Sequence, residues 1–393
     1  MNVNLIQQLQ EYAVALRREL HQYPEVSLKE KETSARICRE LNKMNIPYVI
    51  VGEYNVIAKI TCGKGKKLAL RADMDALEIE EQLQFPFQSR NKGIMHACGH
   101  DAHVAVLLAT AKGLLAMKEE LNGVYYLCFQ QAEEVGQGAR ECVEYLQAQG
   151  GVDAAIALHM DAGLEVGKID ISEGARGSGC INFIIDIAGN GGHGARPDLS
   201  VDVIQVACEI CTKIKQIPVY HHNPNHRCVI NVCMLQAGTC SNVVPQNATI
   251  KGTMRFYKDG DDVVLTDQMK KMILPIGQSF GADIQIQMIE SVKYPIVNDS
   301  TSIMIAHKVC KEIGLSMEPM DPMAGSDNFS EFLHNFSGCY GFIGAKSTRV
   351  GACESHHHPK FDIDEAALEK SILYHLAYVK EFSGQFLWCS HEN

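Results

Sequence analysis

VYYLCFQQAEE, residues 124–134, packs a whole structural argument into eleven residues. The apolar run Val124–Phe129 reads as a buried strand, and two adjacent carboxylates, Glu133 and Glu134, follow its carboxyl end. On the N-terminal side lies a helical pattern over His103–Met117, and before it an apolar run at Leu68–Leu70. On the C-terminal side a helix over Gly138–Leu146 leads into a second apolar strand, Ala154–Leu158, which ends at His159. Strands alternating with helices imply α/β architecture with a mostly parallel sheet. In such sheets ligands gather where strands end. Asp73 and Asp75 follow Leu68–Leu70, so three strand ends deliver metal-ligating residue types to one edge.

Further out, Leu5, Leu9, Tyr12, Ala13, Leu16 and Leu20 recur at helical spacing up to Pro24, and a second helix is expected over Thr33–Met44. Tyr48–Val51 and Val56–Ile60 read as strands. The middle changes character. Ile181–Ile187, Cys228–Leu235, Thr249–Phe256 and Ile284–Met288 read as strands, with helices over Val201–Ile214 and Val263–Ser279. This set is enough for a smaller α/β domain. Helices over Ser300–Ile313 and Glu365–Phe382 then resume the first domain.

The chain has 393 residues and a net charge of −11. Its length favours two domains or one domain with an insertion. The acidic balance argues against nucleic acid and against a polybasic membrane anchor. No apolar stretch is long enough to span a bilayer. The N-terminus lacks the pattern of a secretory signal, so the fifteen cysteines are expected reduced and the compartment cytoplasmic.

Chemistry concentrates at His96-Ala97-Cys98-Gly99-His100-Asp101-Ala102-His103. Thiolate and imidazole together suit Zn, Co, Ni or Mn. The C-x-H spacing has no CxxC partner, so a structural zinc site is not expected. Of two adjacent glutamates at a strand end, one can bind a metal and the other act as base; a solvated acidic turn is the plainer alternative. His159 alone is as compatible with a structural role. In Ser355-His356-His357-His358-Pro359, spacing does not select one histidine. Gly191-Gly192-His193-Gly194 is either a glycine-rich turn or a loop presenting His193 to an oxyanion. Asn242 and Arg255 are weaker candidates for holding a substrate carboxylate.

Taken in order, these stretches resemble the metal-dependent aminoacylase and carboxypeptidase superfamily, within it the hippurate hydrolase and indoleacetyl-amino-acid hydrolase branch. The matching segments are LRRELHQYPEVS at 16–27, LRADMDALEIEE at 70–81, GIMHACGHDAHVAVLL at 93–108, QQAEE at 130–134, LHM at 158–160, GGHGARPDLSVD at 191–202, NVVPQNATIKGTMRF at 242–256, AGSDNFSEF at 324–332 and HHPKFDIDEAAL at 357–368. The resemblance implies a catalytic domain formed by residues 1–178 and 291–393, with an inserted lid and dimerisation domain at 179–290. It implies two divalent metal ions held by Cys98, His100, Glu134, His159 and His357, the last because it stands two residues before Pro359. Glu133 matches the general base, His193 the oxyanion donor, Asn242 and Arg255 the substrate carboxylate site. Where the superfamily has HxD, this chain has Asp73-Met74-Asp75, and Asp75 is read as support for a ligand histidine. Where the branch often has GGEDF, this chain has GSDNF, with Asn328 replacing an acid. The implied reaction is hydrolysis of a small amide, such as an N-acyl amino acid, by a metal-activated water in a homodimer or higher homo-oligomer.

Three rivals remain at this level. A cysteine hydrolase would use Cys98 as nucleophile. A zinc base deaminase would need P-C-x-x-C, which the chain lacks. A non-catalytic binding protein on the same fold would not need Glu133.

Overall fold

The computed structural model describes residues 3–384. They form two compact units. The first comprises the described residues up to Gly174, Val297–Asp321 and those from Asp327 on; the second comprises Ala175–Ile296 and Pro322–Ser326.

The first unit is built on eight strands: β1 (Tyr48–Val51), β2 (Asn55–Thr61), β3 (Lys67–Asp73), β4 (Val124–Gln130), β5 (Ala154–Glu165), β6 (Lys168–Asp170), β7 (Ser316–Met317) and β8 (Gly338–Lys346). Their order in the sheet is β1-β2-β4-β3-β5-β8-β6-β7. The four central strands, β4, β3, β5 and β8, run parallel, as the alternation of strands and helices predicts. The helix His100–Ala116 is apolar on nearly every side, and fourteen of its seventeen residues are buried. That pattern belongs to a helix enclosed by other elements rather than one facing water. The helix Val3–Gln22 covers it with a regular stripe of Ile6, Leu9, Ala13, Leu16 and Leu20.

Two features depart from the sequence reading. The central helix starts at His100, not His103, because Gly99 adopts a left-handed conformation (φ 88°) that the helix needs at its entry. Strand β8 was not expected at all, because Gly338, Gly341 and Gly344 dilute its apolar pattern. These glycines have a packing purpose: a Cβ at Gly338 would collide with the Ala155 carbonyl, and one at Gly344 with the Glu165 carbonyl. The strand can therefore press against β5.

In the second unit four antiparallel strands follow the order Cys228–Ala237, Asn247–Phe256, Gly179–Ala188, Asp283–Val292. Alternate residues face a core with the helices Val203–Ile214 and Asp261–Phe280. All cysteines among the described residues are free. No described helix is long and apolar enough to cross a membrane.

Candidate metal centre

The carboxyl ends of β3 and β4 carry Asp73 and the Glu133–Val135 turn, and His159 stands midway along β5, which runs on to Glu165 instead of ending at the histidine as the apolar run Ala154–Leu158 predicts. The helix His100–Ala116 brings its first residue to the same edge. Cys98, Glu134 and His357 group so that one ligand atom from each lies within 4.8 Å of the others, and His100, Glu133 and Glu134 form a second such group. Cys98 Sγ stands 3.6 Å from His159 Nε2, which links His159 to the first group.

The imidazoles are oriented by their far nitrogens. His100 Nδ1 faces the Asp75 carbonyl at 3.0 Å and Asp75 Oδ1 at 3.2 Å, so it carries the proton. Its Nε2, buried and without a hydrogen-bond partner, stands 3.5 Å from Asp73 Oδ2 and 3.8 Å from Glu134 Oε1, which is likewise unpartnered. His159 Nδ1 donates to the Met160 carbonyl at 2.7 Å, turning its bare Nε2 towards Cys98. Anchoring one ring nitrogen so that the other is free is the usual arrangement for a ligating histidine. His103 differs: its Nε2 accepts the Met160 N–H at 2.8 Å and its Nδ1 donates to Asp73. Both of its nitrogens are occupied, so it braces Asp73.

The three histidines of the run face different partners. His357 Nε2 lies 3.5 Å from Glu134 Oε2. His356 instead takes the Ala162 N–H on Nε2, and His358 takes the Lys360 N–H. His357 holds a left-handed φ of 63°, fixed by its N–H bond to the Ala97 carbonyl. Ala132, immediately before the two glutamates, is also left-handed (φ 57°). A non-glycine residue held there signals a backbone over-determined by its surroundings.

The electrostatics are those of a site short of positive charge. Burial, then the neighbouring Asp327 and Glu134, push the Glu133 carboxyl well above the usual range. Burial also raises Glu134, and it raises the Cys98 thiol. The two aspartates go the other way: burial opposes ionisation of both, but Arg71, His100 and His103 hold Asp73 well below its usual value, and hydrogen bonds from His100 and Ser27 lower Asp75. Bare imidazole nitrogens, a thiol and raised carboxyls in one pocket fit divalent cations, which would lower each of these groups at once.

Several supporting residues carried no sequence signal of their own. Arg71, fully buried, joins Asp73 at 2.7 Å and Asp327 at 3.0 Å, and bonds Asn328 Oδ1 at 3.1 Å. Asn328 thus serves as an uncharged acceptor, with its amide donating to the Gln137 carbonyl at 2.7 Å. Glu30 Oε1 accepts the Ala132 N–H at 2.7 Å and sets the turn that presents Glu133. Nothing in the sequence around Glu30 marks it, since it stands between Lys29 and Lys31.

Residues 69–381 match the model of peptidase family M20/M25/M40. The chain belongs to that family. It is accordingly an amidohydrolase, in keeping with the resemblance read from its motifs. Family members similar to it include thermostable carboxypeptidase 1 of Saccharolobus solfataricus, 32% identical over 97% of this chain and 98% of its own length. The IAA-amino acid hydrolase ILR1-like 4 of Arabidopsis thaliana is 32% identical over 91% of this chain and 82% of its own. Among solved structures, a Bacillus subtilis protein described as a dinuclear metal binding peptidase from M20 family superposes with a TM-score of 0.83. It is 30% identical, covering 95% of this chain and 98% of that one.

The remaining candidates of the family reading lie in the second unit. His193 is exposed and pairs with Val243 in a two-residue strand, beside Asn242, whose carbonyl accepts the Gly194 N–H at 2.9 Å. The Ala195 N–H donates to His193 Nδ1 at 3.0 Å, which places the proton of the neutral ring on Nε2. Arg255 projects from Asn247–Phe256 and donates to Ser326 Oγ at 2.7 Å.

Proposed function

We propose that this chain hydrolyses the amide bond of N-acyl amino acids or related small amides and dipeptides. In this reading Cys98, His100, Glu134, His159 and His357 hold two divalent ions drawn from Mn, Zn, Co and Ni. The observation that carries it is the pair of buried, unpartnered atoms His100 Nε2 and Glu134 Oε1 facing each other amid the other three side chains. The dinuclear description of the Bacillus subtilis relative supports the number of ions. Once bound, the ions would supply Lewis acidity for the scissile carbonyl and for water.

The other steps belong to side chains. Glu133 takes the proton of the attacking water and returns it to the leaving nitrogen. Asp75 fixes the tautomer of His100. His193, with its proton on Nε2, donates to the developing oxyanion. Asn242 and Arg255 hold the substrate carboxylate, Arg255 through its planar fork. Residues 179–290 act as a lid and dimerisation module on a catalytic domain of 1–178 and 291–393, in a cytoplasmic homodimer or higher homo-oligomer. The boundary residues 1–2 and 385–393 of that division lie outside the described residues. A cysteine nucleophile is disfavoured because burial raises the Cys98 thiol and opposes thiolate.

Glu133→Gln tests the assignment. It should keep its metal by elemental analysis and lose turnover by about 10²–10⁴-fold, the usual share of a general base. Near-normal turnover would contradict the role.

A further inference from the structure

A second group of metal-ligating side chains stands wholly within the second unit, in a part of the chain that no family motif covers. His222 and His226 flank the turn His221-His222-Asn223-Pro224-Asn225-His226, and Asp261 opens the helix Asp261–Phe280. His222 Nε2 is 3.0 Å from Asp261 Oδ2, and His226 Nδ1 is 3.0 Å from Asp261 Oδ1. The two rings are inclined at 70°, with centroids 5.7 Å apart. Donor atoms around one zinc-sized ion, each about 2.0–2.2 Å from it, stand at about this spacing from one another.

We propose that His222 Nε2, His226 Nδ1 and Asp261 form a binding site for a zinc-class divalent cation, separate from the catalytic centre. The independent support is what the group fails to do without an ion. The His222 side chain is 1% exposed. Despite the 3.0 Å separation, its Nε2 and Asp261 Oδ2 do not meet in hydrogen-bond geometry, and both are buried without a partner. A cation between them satisfies both at once, where a misaligned contact satisfies neither.

The surroundings suit this role. Cys228 Sγ lies 3.3 Å from His222 Nδ1, on the far side of the ring. Its sulfur can take the Nδ1–H of that ring, which orients the ring with Nε2 towards Asp261. Lys258 Nζ and Asn223 Nδ2, both on exposed residues, stand 3.1 Å and 3.3 Å from His226 Nε2. Ligation through Nδ1 requires the His226 proton on Nε2, so the Lys258 ammonium and the Asn223 amide both turn away as the ion enters. Two imidazoles and one carboxylate leave a coordination position for water. The site ties the 221–226 turn to the start of the long helix.

The test uses the full chain, stripped with a chelator and titrated with zinc chloride. Native mass spectrometry counts bound zinc, and hydrogen exchange follows the wild-type chain alone. His226→Gln and Asp261→Asn should each bind one zinc fewer than wild type and retain amide hydrolysis. In the wild type, zinc should slow exchange in peptides spanning 220–228 and 258–264. Equal zinc counts in wild type and both variants would overturn the site. So would unchanged exchange in those peptides at saturating zinc, a result that needs no variant to fold. Neither readout depends on the catalytic ions, whose loss would show in activity and in peptides around Cys98.

Discussion

At the scale of single residues, the catalytic edge is set by groups whose charge state depends on neighbours. Cys98 makes the point for metal affinity. In the proposed ligand set its sulfur is the soft donor, so Cys98→Ala should lower metal content by elemental analysis; full occupancy with full activity would remove Cys98 from the ligands. Glu30 makes the point for protons. Burial, reinforced by the charge of Asp75, raises its carboxyl from 4.5 to about 7. A carboxyl with a folded value above its unfolded one contributes stability that is complete below pH 4.5 and is lost as pH rises through about 7. Metal-free wild type should therefore lose stability across that window in urea melts. Glu30→Gln, which cannot ionise, should show a flatter profile there. Parallel profiles would mean that Glu30 keeps an ordinary carboxylate.

At the scale of elements, the fold rests on buried ion clusters that pin helices in place. Arg17, from the helix Val3–Gln22, is 1% exposed and meets Asp101 at 2.9 Å, Asp362 at 2.9 Å and Glu365 at 3.4 Å. Asp101 belongs to the helix that starts at His100, so this contact pins the first turn of that helix to the helix Val3–Gln22. Arg17→Met leaves the buried Asp101 with His21 as its one ring partner and should destabilise by about 3 kcal/mol, read from urea denaturation. A change below about 1 kcal/mol would show that the acids regain water. Here the limits of the sequence are also visible. Apolar runs such as Val124–Phe129 and Ala154–Leu158 announce strands because side chains buried on both faces must be apolar. Strand β8 escapes because its purpose is close approach, which calls for glycine. Cys98, His100, Glu134 and His159 are legible as candidates because they follow apolar runs or cluster in sequence. Arg71 and Glu30 are not, because their roles exist only once distant segments meet. Within the histidine run the family resemblance points to His357 through its distance from Pro359, whereas the left-handed φ that turns its ring towards Glu134 is not encoded by spacing.

At the scale of the whole molecule, the reaction is proposed to draw on both units and on a partner copy. His193 belongs to the second unit and Glu133 to the first. If His193 acts across a dimer, mixing inactive Glu133→Gln and His193→Ala chains should restore part of the activity, because one hybrid site then holds both intact residues. No recovery in mixtures shown to exchange subunits would confine each site to one chain. The central claim is metal-dependent amide hydrolysis with Glu133 as base. It is met most directly by one measurement: amide cleavage across a panel of N-acyl amino acids and dipeptides, before chelation, after it, and after restoring Zn, Mn, Co or Ni. The predicted result is cleavage that chelation abolishes, a divalent metal restores, and metal-loaded Glu133→Gln lacks. Cleavage that survives complete metal removal and disappears on thiol alkylation would contradict it.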